Sequence, residues 1–305
     1  MGGVNSWLPV CCAYVFFVLS GFLAGFRLNT VDSLSVYYKK KAKRILPQYY
    51  IYIVLAIIAF IALGRGSEVL NAWLGCYVLP VPNIPFCNGH GILPVVHLWF
   101  IGSLVTFYLV FPLICRVSGN KILKTSVIIA VCWALAKWGL YAFVGKGTFI
   151  YKYWGCAGMD CLFGGVALGI LVRDGNRIIQ RISESKWIAV IAWVLFLASG
   201  LYGNFIPSAC RVEYIAIITC LLILSQLPMT PIVNLDNKVC DWLGGISYEI
   251  YVMQILVIIL LDTLYAYLGL HWHIAVIYFA VTAIVIAVAW GMNRLMCLLV
   301  YLVCR

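Results

Sequence analysis

The sequence predicts an all-α fold, a polytopic bundle of helices that cross a membrane several times. Of the 305 residues, 65% are apolar and only 10% are charged. A soluble domain carries about 25% charged residues, which it needs to cover its surface. Apolar stretches of the length that spans a bilayer, about 20 residues, also recur along the chain. These observations together predict a multi-pass membrane protein and exclude a soluble globular one.

Nine apolar stretches predict nine transmembrane helices. They cover residues 8–26, 47–63, 97–115, 123–144, 153–172, 187–205, 209–227, 242–264 and 274–303. The last stretch is longer than a bilayer requires, so we expect its helix to tilt or to continue beyond the bilayer. No repeat or low-complexity segment interrupts the chain, and residues 1–305 are predicted to form a single integral membrane domain.

The formal net charge of +11 has several interpretations. In a soluble protein it would suggest nucleic-acid binding, but no basic domain exists outside the predicted spans, and no nucleic acid is expected as a partner. Lys and Arg gather in cytoplasmic loops because they resist translocation. Residues 27–44 hold six cations against one acid, Asp32, and are therefore predicted to be cytoplasmic. Contact with anionic lipid head groups or with a phosphorylated substrate remains open for the same cations.

Alternation from this segment places residues 64–96 on the outer side as an ordered loop rich in Pro and Gly. Cys76 and Cys87 both lie in it. They could form a disulfide outside the membrane or remain two thiols, and their spacing favours neither. The remaining cysteines lie mostly in apolar stretches and show no zinc-binding spacing, so no metal is expected.

Ionisable residues within the predicted spans are the candidate functional residues, because a charge in lipid is costly. They are His97, Lys137, Asp160, Glu213, Glu249 and Asp262. His97, Asp160 and Glu213 lie near the outer ends of their helices and are predicted to share one depth. A histidine backed by a carboxylate could take a proton from a hydroxyl. The alternative is an interfacial histidine whose ring is hydrogen-bonded to a backbone carbonyl.

The other ionisable residues within the spans favour structural interpretations. Lys137 is expected to extend its ammonium group outward to water, and Asp262 to be solvated. Glu249 is expected to face either a polar cavity or a partner on another helix.

Four segments resemble the acyltransferase-3 family of integral membrane O-acyltransferases. They are "FFVLSGFLAG" (16–25), "KKAKRILPQYY" (40–50), "HLWFIGSLVTFYLVFP" (97–112) and "GGISYEIYVMQ" (244–254), with a weaker match in "MDCLFGGVALG" (159–169). The resemblance implies a ten-helix bundle in a bacterial plasma membrane. It implies transfer of an acyl group, typically acetyl, from acyl-CoA to a hydroxyl of a cell-envelope glycan or lipid-linked sugar. Acyl-CoA would be the donor substrate, with no permanently bound cofactor.

The same resemblance assigns residues to the two substrates. The basic motif implies CoA contacts by Lys41 and Arg44, with Lys40 and Tyr49 beside them. Residues matched to the later motifs would contact substrate: Trp99, Tyr108, Tyr248 and Gln254. In this assignment Lys39 remains a charge that sets topology and attracts lipid.

The chain departs from the family pattern in ways that affect the candidate base. It begins within what resembles the second helix, so the first-helix Arg and the His that is the family's proposed base are expected to be missing. The family's late histidine is Gln254 here, which cannot take a proton at neutral pH. His97 is the matched histidine that remains, as a base, a substrate binder or a structural residue, and Asp160 would orient it or bind sugar. The alternatives are a transporter or exporter of a small solute or glycan precursor that uses the same polar residues, or an inactive truncated family member.

Overall fold

The computed structural model describes residues 7–28, 33–201, 206–269 and 273–303. Within these ranges the regular structure is helical, and no β-strand occurs. The all-α prediction is therefore confirmed. Asp32, the acid of the predicted cytoplasmic segment, lies outside the described residues.

Fifteen α-helices follow one another along the described chain. They are α1 (Trp7–Phe26), α2 (Leu34–Ala62), α3 (Gly66–Val69), α4 (Leu74–Val78), α5 (Asn83–Cys87), α6 (Trp99–Ser118), α7 (Ile122–Phe143), α8 (Phe149–Cys156), α9 (Met159–Arg173), α10 (Arg177–Glu184), α11 (Lys186–Leu201), α12 (Arg211–Ser225), α13 (Lys238–Gly245), α14 (Ser247–Tyr267) and α15 (Ile274–Val303). A 3₁₀ turn, Val96–Leu98, leads into α6.

Five helical segments of the described chain are long and apolar enough to cross a membrane. They are Leu34–Ala62, Val96–Phe143, Phe149–Arg173, Ser247–Tyr267 and Ala275–Leu298. Helices α10 and α11 meet at 71° and would add a sixth span if they cross together. These segments, with their length and apolar composition, make the chain a multi-pass membrane protein.

Helix α2 begins thirteen residues earlier than the predicted span at Pro47. The six residues Lys39–Arg44 are all strong helix formers, so the basic motif is helical rather than part of a loop. Pro47 lies inside the helix, where it removes one backbone hydrogen bond to the carbonyl of Lys43. The prediction that this helix starts at Pro47 is wrong, because apolarity marks where lipid begins and the helix extends beyond that point.

Two predicted spans are interrupted. Gly158, between α8 and α9, has φ +59°, a left-handed conformation that interrupts the helix. Ile246 separates α13 from α14. In both places the apolar stretch is continuous in sequence, so hydropathy does not reveal the break.

The chain packs as two compact units. The first contains Met1–Tyr37 and Ser103–Leu235, and the second contains Tyr38–Gly102 and Asp236–Arg305.

In the first unit, α1 and α9 cross at backbone contact through two pairs of glycines. A Cβ atom on Gly21 would lie 1.9 Å from a carbonyl oxygen of α9, and one on Gly165 would lie 2.2 Å from a carbonyl oxygen of α1. Gly25 and Gly169, one turn further along each helix, would both meet a carbonyl oxygen of the other helix at 2.2 Å. Only glycine permits this approach, which maximises packing between helices in lipid.

The rest of the first unit packs around this crossing. Phe22 of α1, Leu168 of α9 and Leu224 of α12 form a buried cluster, and Ile179 and Ile182 of α10 cover it. Helix α7 packs along α9, and α11 packs along α12.

In the second unit, tyrosine hydroxyls fasten α2 to the segment that follows it. Tyr49 donates to the carbonyl oxygen of Tyr77 at 2.7 Å, and Tyr52 donates to that of Pro94 at 3.0 Å. Both tyrosines are fully buried. The loop predicted for residues 64–96 is thus ordered, with three short helices. Within the described residues, Cys76 and Cys87 are not joined by a disulfide.

Candidate functional site

One side of α2 carries a row of polar residues. Lys41, Arg44, Gln48 and Tyr52 stand at positions i, i+3, i+7 and i+11, which a helix places on one side. The row from Lys41 to Tyr52 extends about 16 Å along the axis at 1.5 Å per residue. Arg44 is exposed and Lys41 is half-buried, so the row starts at the surface and ends in the buried part of the helix.

The flanking members of the basic motif have different surroundings. Lys40 is exposed, and Lys39 beside it is exposed as well. Tyr49 turns its hydroxyl to the Tyr77 carbonyl and is fully buried. Of the four residues that sequence assigned to CoA, Lys41 and Arg44 belong to the polar row, and Lys40 lies one helical turn before Arg44.

Glu249 lies against the middle of this row. Its carboxylate is buried, with the residue only 3% exposed, and Oε1 accepts hydrogen bonds from Gln48 Nε2 (3.1 Å) and Asn293 Nδ2 (2.9 Å). Three helices, α2, α14 and α15, meet at this oxygen. Of the two expectations for Glu249, the structure shows the helix partners. Sequence reasoning missed Gln48 and Asn293, although a carboxamide in an apolar helix is itself a signal of a buried polar contact.

His97 lies at the inner end of the row. Its Nε2 is 3.0 Å from the carbonyl oxygen of Val252. A carbonyl can only accept, so Nε2 must carry the proton, and a neutral ring then has its lone pair on Nδ1. Nδ1 is buried and accepts no hydrogen bond from the described residues. His97 thus has the hydrogen bond to a backbone carbonyl that was expected of a structural histidine. It also keeps one basic nitrogen, Nδ1, that could accept a proton.

Two tyrosines enclose the His97 ring. Tyr52 meets it edge-on, with 5.4 Å between ring centroids and an interplanar angle of 89°, and the ring of Tyr251 is also 5.4 Å away. The Tyr251 hydroxyl donates to the main-chain carbonyl of His97. The ring is therefore held by contacts on several sides, as a base that must keep one orientation requires.

Asp160 belongs to a separate charged cluster in the first unit. Lys137 Nζ is 2.6 Å from Asp160 Oδ2 and also pairs with Glu213 Oε1. The other oxygen of Asp160 accepts from the backbone N–H of Cys161 at 3.0 Å. Both oxygens of Asp160 are thus occupied, whereas Oε2 of Glu213 is buried and has no partner in the described chain.

The expectation that Lys137 reaches outward to water is wrong. Its side chain is 2% exposed, and α9 and α12 each bring one carboxylate to it. Pairing with two carboxylates offsets the cost of burying the ammonium group. An unpaired ammonium group in an apolar helix would bear that cost in full. Asp262 is exposed, as expected for a solvated residue.

The remaining predicted substrate residues have diverse surroundings. Trp99 is buried, stacked on Phe86 at 5.4 Å between centroids. Tyr248 donates its hydroxyl to the carbonyl oxygen of Ile45 at 3.0 Å, which joins α14 to α2. Tyr108 in the first unit and Gln254 on α14 are half-buried. The structure thus brings Tyr248 close to the basic motif, and it gives Trp99 a packing role.

Comparison with known proteins gives one family match. The family model described as "Acyltransferase domain" matches residues 10–294 of the chain. An uncharacterised protein of Haemophilus influenzae is 29% identical over 133 residues, which are 38% of this chain and 54% of that protein. The chain thus spans about half the length of the curated relative that it matches. No solved structure matches the chain.

Proposed function

The chain belongs to the acyltransferase-3 family, and from this premise we propose that it transfers an acyl group from acyl-CoA to a hydroxyl of a cell-envelope glycan or lipid-linked sugar. The family supports a membrane acyltransferase in general. Acetyl as the acyl group, CoA as its carrier, the glycan acceptor and the bacterial plasma membrane are parts of the proposal.

The polar row of α2 is the observation that carries this proposal. Its surface end has two cations one turn apart, Lys41 and Arg44, and its buried end reaches His97 through Tyr52. Cations bind the phosphates of CoA through charge-assisted hydrogen bonds, and the guanidinium of Arg44 fits a phosphate with two parallel bonds. The donor would place its phosphates at the predicted cytoplasmic surface and its thioester toward His97.

His97 is the proposed base of the transfer step. The acceptor oxygen attacks the thioester carbonyl while its proton passes to Nδ1, the nitrogen that the Val252 contact leaves basic. Collapse of the tetrahedral intermediate releases the CoA thiolate, which takes up that proton. We assign Asp160, which pairs with Lys137, to the acceptor side, and we keep Trp99, Tyr108, Tyr248 and Gln254 as proposed substrate contacts.

Labelled acetyl-CoA tests the proposal in membranes that contain the full chain. We expect label to enter an envelope fraction, and Arg44→Ala to raise the KM for acetyl-CoA about tenfold or more, because a hydrogen bond to a charged group is lost. Lys39→Ala is the matched control, since it removes an exposed cation of the same helix and should leave the KM unchanged.

Two results would overturn the proposal. Label absent from every envelope fraction would favour the transporter or the inactive family member over an enzyme. Transfer that is unaffected by Arg44→Ala would remove the assignment of the basic motif to CoA.

A further inference from the structure

Glu249 is a buried carboxylate that forms no ion pair with any residue the structure describes. Two carboxamide N–H groups reach it, both at Oε1. A carboxylate has about four acceptor positions, and its burial is costly unless these are used. The site therefore favours a ligand that brings further hydrogen-bond donors.

Gln48 adds a second acceptor at the same place. Its Nε2 is directed at Glu249, and its Oε1 is buried without a hydrogen-bond partner in the described chain. An unsatisfied buried oxygen costs about as much as a lost hydrogen bond. Two acceptors from α2 and α14 thus point to the same class of ligand, one that carries N–H or O–H groups.

The position of Gln48 along α2 indicates which part of the donor would lie at this site. Gln48 lies four residues, about 6 Å, beyond Arg44 and four residues before Tyr52. A donor that has its phosphates at Lys41 and Arg44 and its thioester near His97 would lay its middle portion across Gln48. In acyl-CoA that portion is the pantetheine arm, an uncharged chain with two secondary amides and one hydroxyl.

We propose that Glu249 and Gln48 bind the amide N–H and hydroxyl groups of the pantetheine arm of the acyl-CoA donor, an inference that rests on the proposed function. The amides of Gln48 and Asn293 hold the carboxylate in place from α2 and α15, so that Oε2 remains for the ligand. The site recognises the arm rather than the nucleotide, and it separates acyl-CoA from other phosphorylated donors.

Competition binding with two probes tests this assignment on the purified full chain. Unlabelled CoA and pantetheine, which lacks the nucleotide and all phosphates, are each titrated against bound labelled acetyl-CoA. We expect Arg44→Ala to weaken CoA about tenfold or more and to leave pantetheine unchanged. Glu249→Gln should weaken both probes by the same factor, about tenfold, because one charge-assisted contact is lost from the shared arm.

Two further variants separate ligand contact from a role in folding. Asn293→Ala removes a donor to Oε1 but leaves both open acceptors in place, so it should lower the melting temperature and weaken pantetheine less than Glu249→Gln does. Gln48→Ala removes an open oxygen and should weaken pantetheine, which tests the inference even if Glu249→Gln fails to fold.

The outcomes distinguish this inference from the proposed function. Binding of CoA with a pantetheine affinity that neither Glu249→Gln nor Gln48→Ala changes would overturn the inference and leave the function intact. An Asn293→Ala loss equal to that of Glu249→Gln would show a structural site and overturn it as well. A wild-type chain that binds neither probe would overturn the proposed function itself.

Discussion

A methyl group added at Gly165 is expected to force α9 away from α1. The new Cβ would lie 2.2 Å from the carbonyl oxygen of Val18 and 2.8 Å from the amide nitrogen of Phe22. Both are backbone atoms, which cannot rotate away as a side chain can. Restoring a normal contact requires the helices to separate by about 1 Å, and the packing attraction falls steeply over such a gap. Overpacking of this kind costs about 1–3 kcal/mol.

Gly164 provides a matched control on the same helix. A Cβ atom there meets nothing within 4 Å, so Gly164→Ala should be neutral or stabilise by up to about 1 kcal/mol through helix propensity. Titration of the purified protein with SDS in detergent micelles measures the free energy of unfolding. We expect Gly165→Ala to lower it by about 1–3 kcal/mol. Equal values for the two variants would refute the close crossing of α1 and α9.

Gly21 on α1, which faces α9 at the same crossing, provides a second test of this contact. Gly21→Ala would place its Cβ 1.9 Å from the carbonyl oxygen of Leu162 and should cost at least as much as Gly165→Ala. The double variant should lose less than the sum, because one methyl group already separates the helices that the second would push apart. Strict additivity would show that the two glycines do not share one contact.

Two further predictions concern the ionisable residues Lys137 and His97. Lys137→Met leaves Asp160 and Glu213 as buried carboxylates without their cation, so we expect about 3–5 kcal/mol of destabilisation; melting in detergent measures it, and adding Asp160→Asn and Glu213→Gln should restore part of the loss. An unchanged melting temperature would contradict the buried cluster. His97→Gln keeps a side-chain N–H for the Val252 carbonyl but removes the proposed base, so kcat for acyl transfer should fall at least about 100-fold with unchanged CoA affinity. A kcat near that of the wild type would assign His97 to structure alone.

The fold class follows from sequence because lipid imposes it: long apolar stretches with few charges can only be spanning helices. The first and last residues of each helix are predicted less well from the sequence than the fold class, as α2 demonstrates. The apolar stretch of α2 begins only after Lys39–Arg44, whereas these basic residues already belong to the helix. The break at Gly158 is invisible to hydropathy for the opposite reason, because apolar residues continue on both sides of it.

The candidate residues were predictable one at a time, but their partners were not. The high cost of an intramembrane charge marks Lys137, Asp160 and Glu249 directly. That Lys137 pairs with Asp160 depends on which faces of α7, α9 and α12 meet, which no single helix records. Gln48 and Asn293 carry no charge, so a search for ionisable residues passes over the two amides that hold Glu249.

The segments that carry the family resemblance divide into two kinds once their contacts are known. Segments 16–25 and 159–169 meet each other through glycine backbones in the first unit, and packing accounts for the glycines at their contact. Segments 40–50 and 244–254 meet through Gln48–Glu249 and Tyr248–Ile45, and Val252 in the latter contacts His97.

Packing glycines are required in any folded relative, active or inactive, so they support the fold without supporting catalysis. No such packing requirement applies to the cations Lys41 and Arg44 or to the open oxygen of Gln48 on α2. The same holds for His97, which lies beside this row. Under the proposed function, donor binding through that side would therefore separate an active acyltransferase from an inactive family member with the same fold.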